Sequence, residues 1–235
     1  MGRAFEFRKA RKMKRWSKMA KTFSRIGKDI VIAIKEGGVD PETNSRLRAV
    51  IQNAKTANMP KDIIDRAIKK ATDKDTSDYK EVNFEGYALH GIAIFVETTT
   101  DNNNRTVANV RAAFTKFNGN LGTSGSVEFL FEHTCNFKIP RGEHDLEELE
   151  LELIDAGIDE VFEDEGEINI YGPFESFGSI QKTLEAMNIE ILSSGYERIP
   201  INTTKLTEEQ EQEVEKLLDR LEEDDDVHNV YHTMG

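Results

Sequence analysis

Cysteine is almost absent: Cys135 stands alone in 235 residues. No internal disulfide can form, and a reducing cytoplasm is the expected compartment. Long apolar runs are missing as well. The densest, Ile30-Val31-Ile32-Ala33-Ile34, falls far short of the roughly 18 residues a spanning helix needs, so no α-helical membrane span is expected. The chain opens on Lys and Arg instead of an apolar h-region, which argues against a secretory signal. Glu6 stands where a myristoylation motif wants Ser or Thr. No nucleophile elbow, Walker loop or dinucleotide-binding glycine fingerprint occurs. Metal-ligand spacing is lacking too. His133-x-Cys135 shares one strand face, and His228 and His232 would sit roughly 13 Å apart on a straight strand, too far to share an ion. The run Glu222–Asp226 follows a helix and reads as a solvated, fraying end. No enzyme activity, cofactor or metal is expected from this pattern.

What the sequence does have is charge, unevenly placed. The net charge is −13, yet residues 1–78 carry 20 Lys/Arg against 10 Asp/Glu, and the remainder carries 11 against 34. Residues 1–28 hold 11 bases and one acid, Glu6, whereas Glu143–Tyr171 holds 13 acids and no base. A partner meets the local field, not the average. The chain reads as a basic head on an acidic body.

The hydrophobic period divides it further. Residues 1–15 show no clean apolar period, and their bases crowd too closely for a stable isolated helix, so they read as a leading arm. From Trp16 a spacing of three and four (Trp16, Met19, Phe23, Ile26, Ile30, Ile34) marks an amphipathic helix ended by Gly37-Gly38. Two shorter helices follow, one on Leu47, Val50, Ile51 and Ala54, the other starting at Pro60 with Ile64, Ala67, Ile68 and Ala71. Past a polar linker at 72–78 the pattern turns to strands and helices. Ile92–Thr99, Leu121 and Ser126–Phe131 read as strands and Thr106–Phe117 as a helix, a β-α-β-β series short of one helix and one strand. A second series follows: a strand at 136–139, a helix at 146–156, a hairpin around Gly166, a helix at 174–187 and a broken strand at 189–199. That is a ferredoxin-like β-α-β-β-α-β set. A helix over Thr207–Leu221, opened by a Thr207/Gln210 capping box, and a strand at Val227–Tyr231 supply what the first series lacks. The expected fold is therefore α+β. A helical domain (1–77) precedes a ferredoxin-like domain (78–132 plus 204–235) into which a second, acidic one (133–203) is inserted.

Two segments are candidate sites. The basic arm carries Arg3, Arg8, Lys9, Arg11, Lys12, Lys14, Arg15, Lys18, Lys21, Arg25 and Lys28, interleaved with Phe5, Phe7, Trp16 and Phe23. Such bases neutralise phosphates, and aromatics stack on unpaired bases. A merely solvated face would not need one sign of charge, so this arm is the expected nucleic-acid contact, to DNA or ribosomal RNA. Thr98–Thr106 is a polar strand-to-helix turn whose Asp101 and Asn side chains suit capping better than recognition.

Particular motifs carry a resemblance. They are Gly37-Gly38-Val39-Asp40-Pro41, Asn44-Ser45-Arg46-Leu47-Arg48, Asn58-Met59-Pro60-Lys61-Asp62, Thr100-Asp101-Asn102-Asn103-Asn104-Arg105-Thr106 and the tail Asp224–His232. With these the chain resembles the YebC/PmpR family along nearly its whole length. It departs at Gly2-Arg3-Ala4-Phe5, where most members read Gly-His-Ser-Lys-Trp, and at Ala88-Leu89-His90-Gly91, where many have Gly-Pro-Gly. The resemblance implies a helical domain with two α/β domains and a non-enzymatic regulator of gene expression. Two roles go with the family: a DNA-binding transcriptional regulator, and a ribosome-associated factor that helps translation through difficult stretches such as consecutive prolines. A protein-binding scaffold using the acidic domain is the alternative of another class.

Overall fold

The structure, a computed structural model, describes residues 3–72, 79–164 and 166–235, with side chains from residue 19 onward. The chain divides into two compact units, Met1–Ser77 and Asp78–Gly235. The fold class is α+β: N-terminal helices and two four-stranded antiparallel sheets.

The first unit is three helices, α1 (Arg3–Gly37), α2 (Ser45–Thr56) and α3 (Lys61–Thr72). Ile30 through Ile34 are buried without a break. A helix apolar all round must be enclosed, and α2 and α3 pack against this end of α1 with Leu47, Ala54, Met59 and Ile64. The turn between α1 and α2 is fixed by one side chain. Asn44 caps α2, its Oδ1 accepting from Leu47 N at 3.0 Å, while its Nδ2 donates to Ala33 O and Gly38 O, both at 2.7 Å. Gly38 sits at φ +86°, the left-handed stop that glycine takes without strain. Gly37 is needed for another reason, because a Cβ there would meet the Asn44 amide at 2.7 Å.

In the second unit, β1 (Lys80–Tyr87) and β2 (Ala93–Thr100) form a hairpin with Phe84 opposite Val96. Then come α4 (Asn103–Lys116) and the short β3 (Asn120–Leu121), which pairs with β1. The chain leaves through β4 (Phe131–Pro140), α5 (Leu146–Leu153), β5 (Glu160–Asp164), β6 (Glu167–Pro173), α6 (Phe177–Ala186) and β7 (Ser193–Pro200). It returns as α7 (Glu208–Glu222) and β8 (Val227–His232). The sheet orders are β3-β1-β2-β8 and β5-β6-β4-β7. The second order, with a helix after its first and third strands, is the split β-α-β-β-α-β arrangement.

The first sheet differs from its sequence-based expectation. Its fourth strand is β1, and Ser126–Leu130 is a loop ending in a tight turn. Polar residues disguise β1: Glu85 is buried inside it, and its carboxylate accepts from the amides of Gly125, Val127 and Glu128 at 2.6–2.8 Å. Those bonds draw residues 125–128 out of strand pairing. A central hairpin therefore replaces the β-α-β-β start, and the order of this sheet is not ferredoxin-like. Both faces of β2 are covered, by α4 and α7 on one side (Val110, Phe114, Val214, Leu217 and Leu221) and by Val127 and Phe131 on the other. This is why Ile92 to Val96 reads as an unbroken apolar run. Leaving Glu85 unpaired would cost more than an exposed acid, since a buried carboxylate without donors is expensive.

Three outcomes test this account. Asn44→Ala should destabilise the first unit by about 2 kcal/mol, the sum of a lost cap and two orphaned carbonyls. Gly37→Ala should also destabilise, and by less in the Asn44→Ala background, because the clash partner is then gone. Separate and double unfolding curves measure this. Because α7 and β8 join the first sheet, replacing 136–200 by a short linker should leave a chain that melts cooperatively. A remainder unfolded while residues 1–131 fold well would contradict that.

Candidate nucleic-acid interface

Helix α1 starts at Arg3, not at Trp16. This corrects the reading of residues 1–15 as a non-helical arm. Lys, Arg, Met, Ala and Glu are strong helix formers, and a helix already nucleated by the packed turns at Ile26–Ile34 extends at low cost, one hydrogen bond per added residue. The side chains of Arg3, Arg8, Lys9, Arg11, Lys12, Lys14, Arg15 and Lys18 lie outside the described residues; their backbone is helical. At about 1.5 Å per residue, the 35 residues of α1 make a rod roughly 52 Å long.

The last three bases of the expected set stand apart. Lys28 is buried, at 9% exposure, and Lys21 and Arg25 are half-buried. Each of the three has an interaction partner. The sequence counted them with the arm because its charge pattern ran on, but they lie where α1 enters the three-helix core. A lysine there buries its methylenes along apolar neighbours. Exposed bases of the other two helices, Lys55, Lys61 and Lys69, were not singled out by sequence because they mix with acids at ordinary helical spacing.

The Thr98–Thr106 turn is a clasp around one buried carboxylate. Asp226 is 5% exposed, and its Oδ2 accepts from Thr100 Oγ1 at 3.2 Å, Thr106 Oγ1 at 2.9 Å, and Arg105 Nε and Nη2 at 3.2 and 2.7 Å. Arg105 also donates to Asp101 at 3.0 Å, and these two carboxylates raise its pKa further above the ordinary guanidinium value, Asp226 foremost. Asn102 caps α4, its Oδ1 accepting from Arg105 N. Asp224 receives Asn109 Nδ2 at 2.8 Å and the amide of Asp226 at 2.9 Å. The Glu222–Asp226 run is thus not a fraying end, and Arg105 is not a free recognition group. The signal in the sequence was an Arg with flanking hydroxyls opposite an acid run, but nothing local paired them.

His133 and Cys135 serve packing. The His133 ring stacks on Phe174 at 4.2 Å, and burial, then Arg198, lowers its pKa. Cys135 Sγ donates to Pro173 O at 3.3 Å, and burial pushes the thiol up to about 11. Among the described residues, no three His, Cys, Asp or Glu side chains come together as a metal site. No helix of the described residues is long and apolar enough to cross a membrane. Asp226→Ala should destabilise the second unit by about 2–3 kcal/mol, because it removes the acceptor shared by two buried threonine hydroxyls and the Arg105 guanidinium. Arg105→Ala should cost less, its side chain being half exposed. Denaturant unfolding of both variants checks the ranking.

Residues 3–74 match the family profile described as the TACO1/YebC protein N-terminal domain, and residues 79–234 that of the TACO1/YebC second and third domain. A probable transcriptional regulatory protein of Flavobacterium psychrophilum is 70% identical over 234 residues, covering 100% of this chain and 99% of that one. One of the same description from Porphyromonas gingivalis is 60% identical, over 100% and 97% of the two chains. The crystal structure of a conserved hypothetical protein from Aquifex aeolicus is similar at a TM-score of 0.79 and 41% identity, covering 92% of this chain and 90% of that one. By sequence along both units and by fold, the chain belongs to the TACO1/YebC family.

Proposed function

We propose that this protein is a non-enzymatic regulator of transcription that binds DNA through the basic first half of α1. The observation that carries the reading is the segregation of 11 bases against one acid in residues 1–28 of a chain with net charge −13, set on a continuous helix. A helix is about 10–12 Å across with its side chains, which suits the roughly 12 Å major groove of duplex DNA. The relatives named above as transcriptional regulators support the same role. Arg3, Arg8, Lys9, Arg11, Lys12, Lys14, Arg15 and Lys18 are the contact set, reduced from the sequence-based one by the three bases engaged near the core. Cytoplasmic residence goes with this role. The acidic segment 133–203, an inserted domain on this reading, keeps the body of the protein off the phosphates and leaves it open to protein partners.

A salt titration on full-length protein tests this. With about six phosphate contacts, log K against log[salt] should fall with a slope near −5 on duplex DNA and near −4 on single-stranded RNA, at roughly 0.9 and 0.7 per contact. Reversing Lys9, Arg11, Lys12 and Lys14 to Glu should weaken binding to every sequence alike and leave the melting temperature nearly unmoved. A flat salt dependence would overturn the reading in favour of a protein scaffold. Co-migration with ribosomes on a sucrose gradient, with weak duplex binding, would move it to ribosomal RNA.

A further inference from the structure

A second acid-free stretch lies within the acidic unit. Residues 102–127 contain no Asp or Glu, although residues 79–235 hold 34 of them. This stretch includes all of α4. The inward side of the helix is spoken for by Thr106, Val110, Ala113 and Phe114. At 3.6 residues per turn the opposite side carries Asn104, Ala108, Arg111, Ala112, Thr115 and Lys116, and all six are exposed. An open depression of about 660 Å³ lies against this side.

The chemistry of this face is one-sided. Arg105, the base nearest the helix start, is held by Asp226 and Asp101. Arg111 and Lys116 differ: among the described residues neither is in an ion pair, and Lys116 Nζ only rests 5.3 Å above the Phe117 ring. Asn104 and Thr115 add an amide and a hydroxyl. Arg, Lys, Asn and Thr are the side chains that donate to phosphate oxygens, and no carboxylate on this face competes for them. Ala108 and Ala112 keep the ground between them low, so a ligand backbone can come close. Arg111 and Lys116 are five residues apart, about 7.5 Å along the axis and roughly 140° around it, so they flank this low ground from its two sides.

We propose that the outer face of α4, through Arg111 and Lys116 with Asn104 and Thr115, is a second contact for the phosphodiester backbone of a bound nucleic acid. The inference rests on the nucleic-acid reading above, but it adds a site on the other unit.

The test compares four full-length proteins by fluorescence anisotropy on a 20-nucleotide single-stranded RNA and a duplex DNA of equal length, across a salt series. They are wild type, Arg111→Glu/Lys116→Glu, the four-fold α1 reversal described above, and Lys182→Glu/Lys216→Glu as a control with the same change in net charge. Loss of two contacts should make the salt slope shallower by about 1.8 on DNA or about 1.4 on RNA, with affinity at low salt falling at least tenfold and the charge control near wild type. Effect on one polymer alone identifies which backbone this face takes. Arg111→Gln/Lys116→Gln, which adds no acid, should show the same slope change and guards against a folding artefact. If the α4 variants match the charge control while the α1 reversal loses binding, the α4 contact is wrong and the α1 reading survives. If the α1 reversal also binds as wild type does, both fall and the face is left for an acidic protein surface.

Discussion

The second unit depends on a single buried carboxylate. Asp226 gathers two threonine hydroxyls and the guanidinium of Arg105 on one oxygen, and its backbone carbonyl accepts from Thr99 N at 2.8 Å. These bonds fasten the end of β2 and the start of α4 to a segment more than a hundred residues further along the chain. They hold the start of β8 next to the register shift between Glu97 and Thr98, where its pairing with β2 is irregular. A charge removed from water needs such a complete set of donors, and the polar Thr98–Thr106 turn supplies it. The cluster makes sense as architecture, not as a recognition loop.

A second ion pair ties the two sheets. Arg198 on β7 is buried, with its guanidinium 4.0 Å from the centre of the Phe95 ring, and it reaches Glu97 at 3.2 Å and Glu128 at 3.4 Å. Glu97 also receives Asn229 and the Tyr231 hydroxyl, and burial followed by this carboxylate raises the Tyr231 pKa well above the usual phenol range. Planar guanidinium stacking on an aromatic face, with carboxylates at its edge, is a geometry lysine cannot replace. The acidic second sheet is thereby anchored by a base that the chain otherwise spends sparingly in this unit.

Charge on this protein is separated by element. The first half of α1 and the outer face of α4 are free of carboxylates except for Glu6, while the charged side chains of α5, β5 and β6 are acids alone. Like charges repel along a helix, so a basic rod has to be stabilised elsewhere. Here that support is the enclosed run Ile30–Ile34, with Asn44 locking the exit. A polyanion lowers the electrostatic cost of the rod, and this links the fold to the proposed role.

The sequence by itself determined the helices and most strands, since apolar period, caps and glycine stops are local: α2, α3, α5, α6 and the Thr207/Gln210 box all fall where their patterns place them. It also determined the charge segregation and, through its motifs, the family. Only the tertiary structure decided what depends on distant partners. Propagation from a packed core made residues 3–15 helical; enclosure buried Lys28. Glu85 reads as a loop residue until the amides of 125–128 arrive around it, so β1 was hidden and Ser126–Phe131 mistaken for its replacement. Arg105 and Asp226 lie 121 residues apart, and no local pattern records such a pairing, because a buried charge is satisfied by whatever the fold brings within hydrogen-bonding reach.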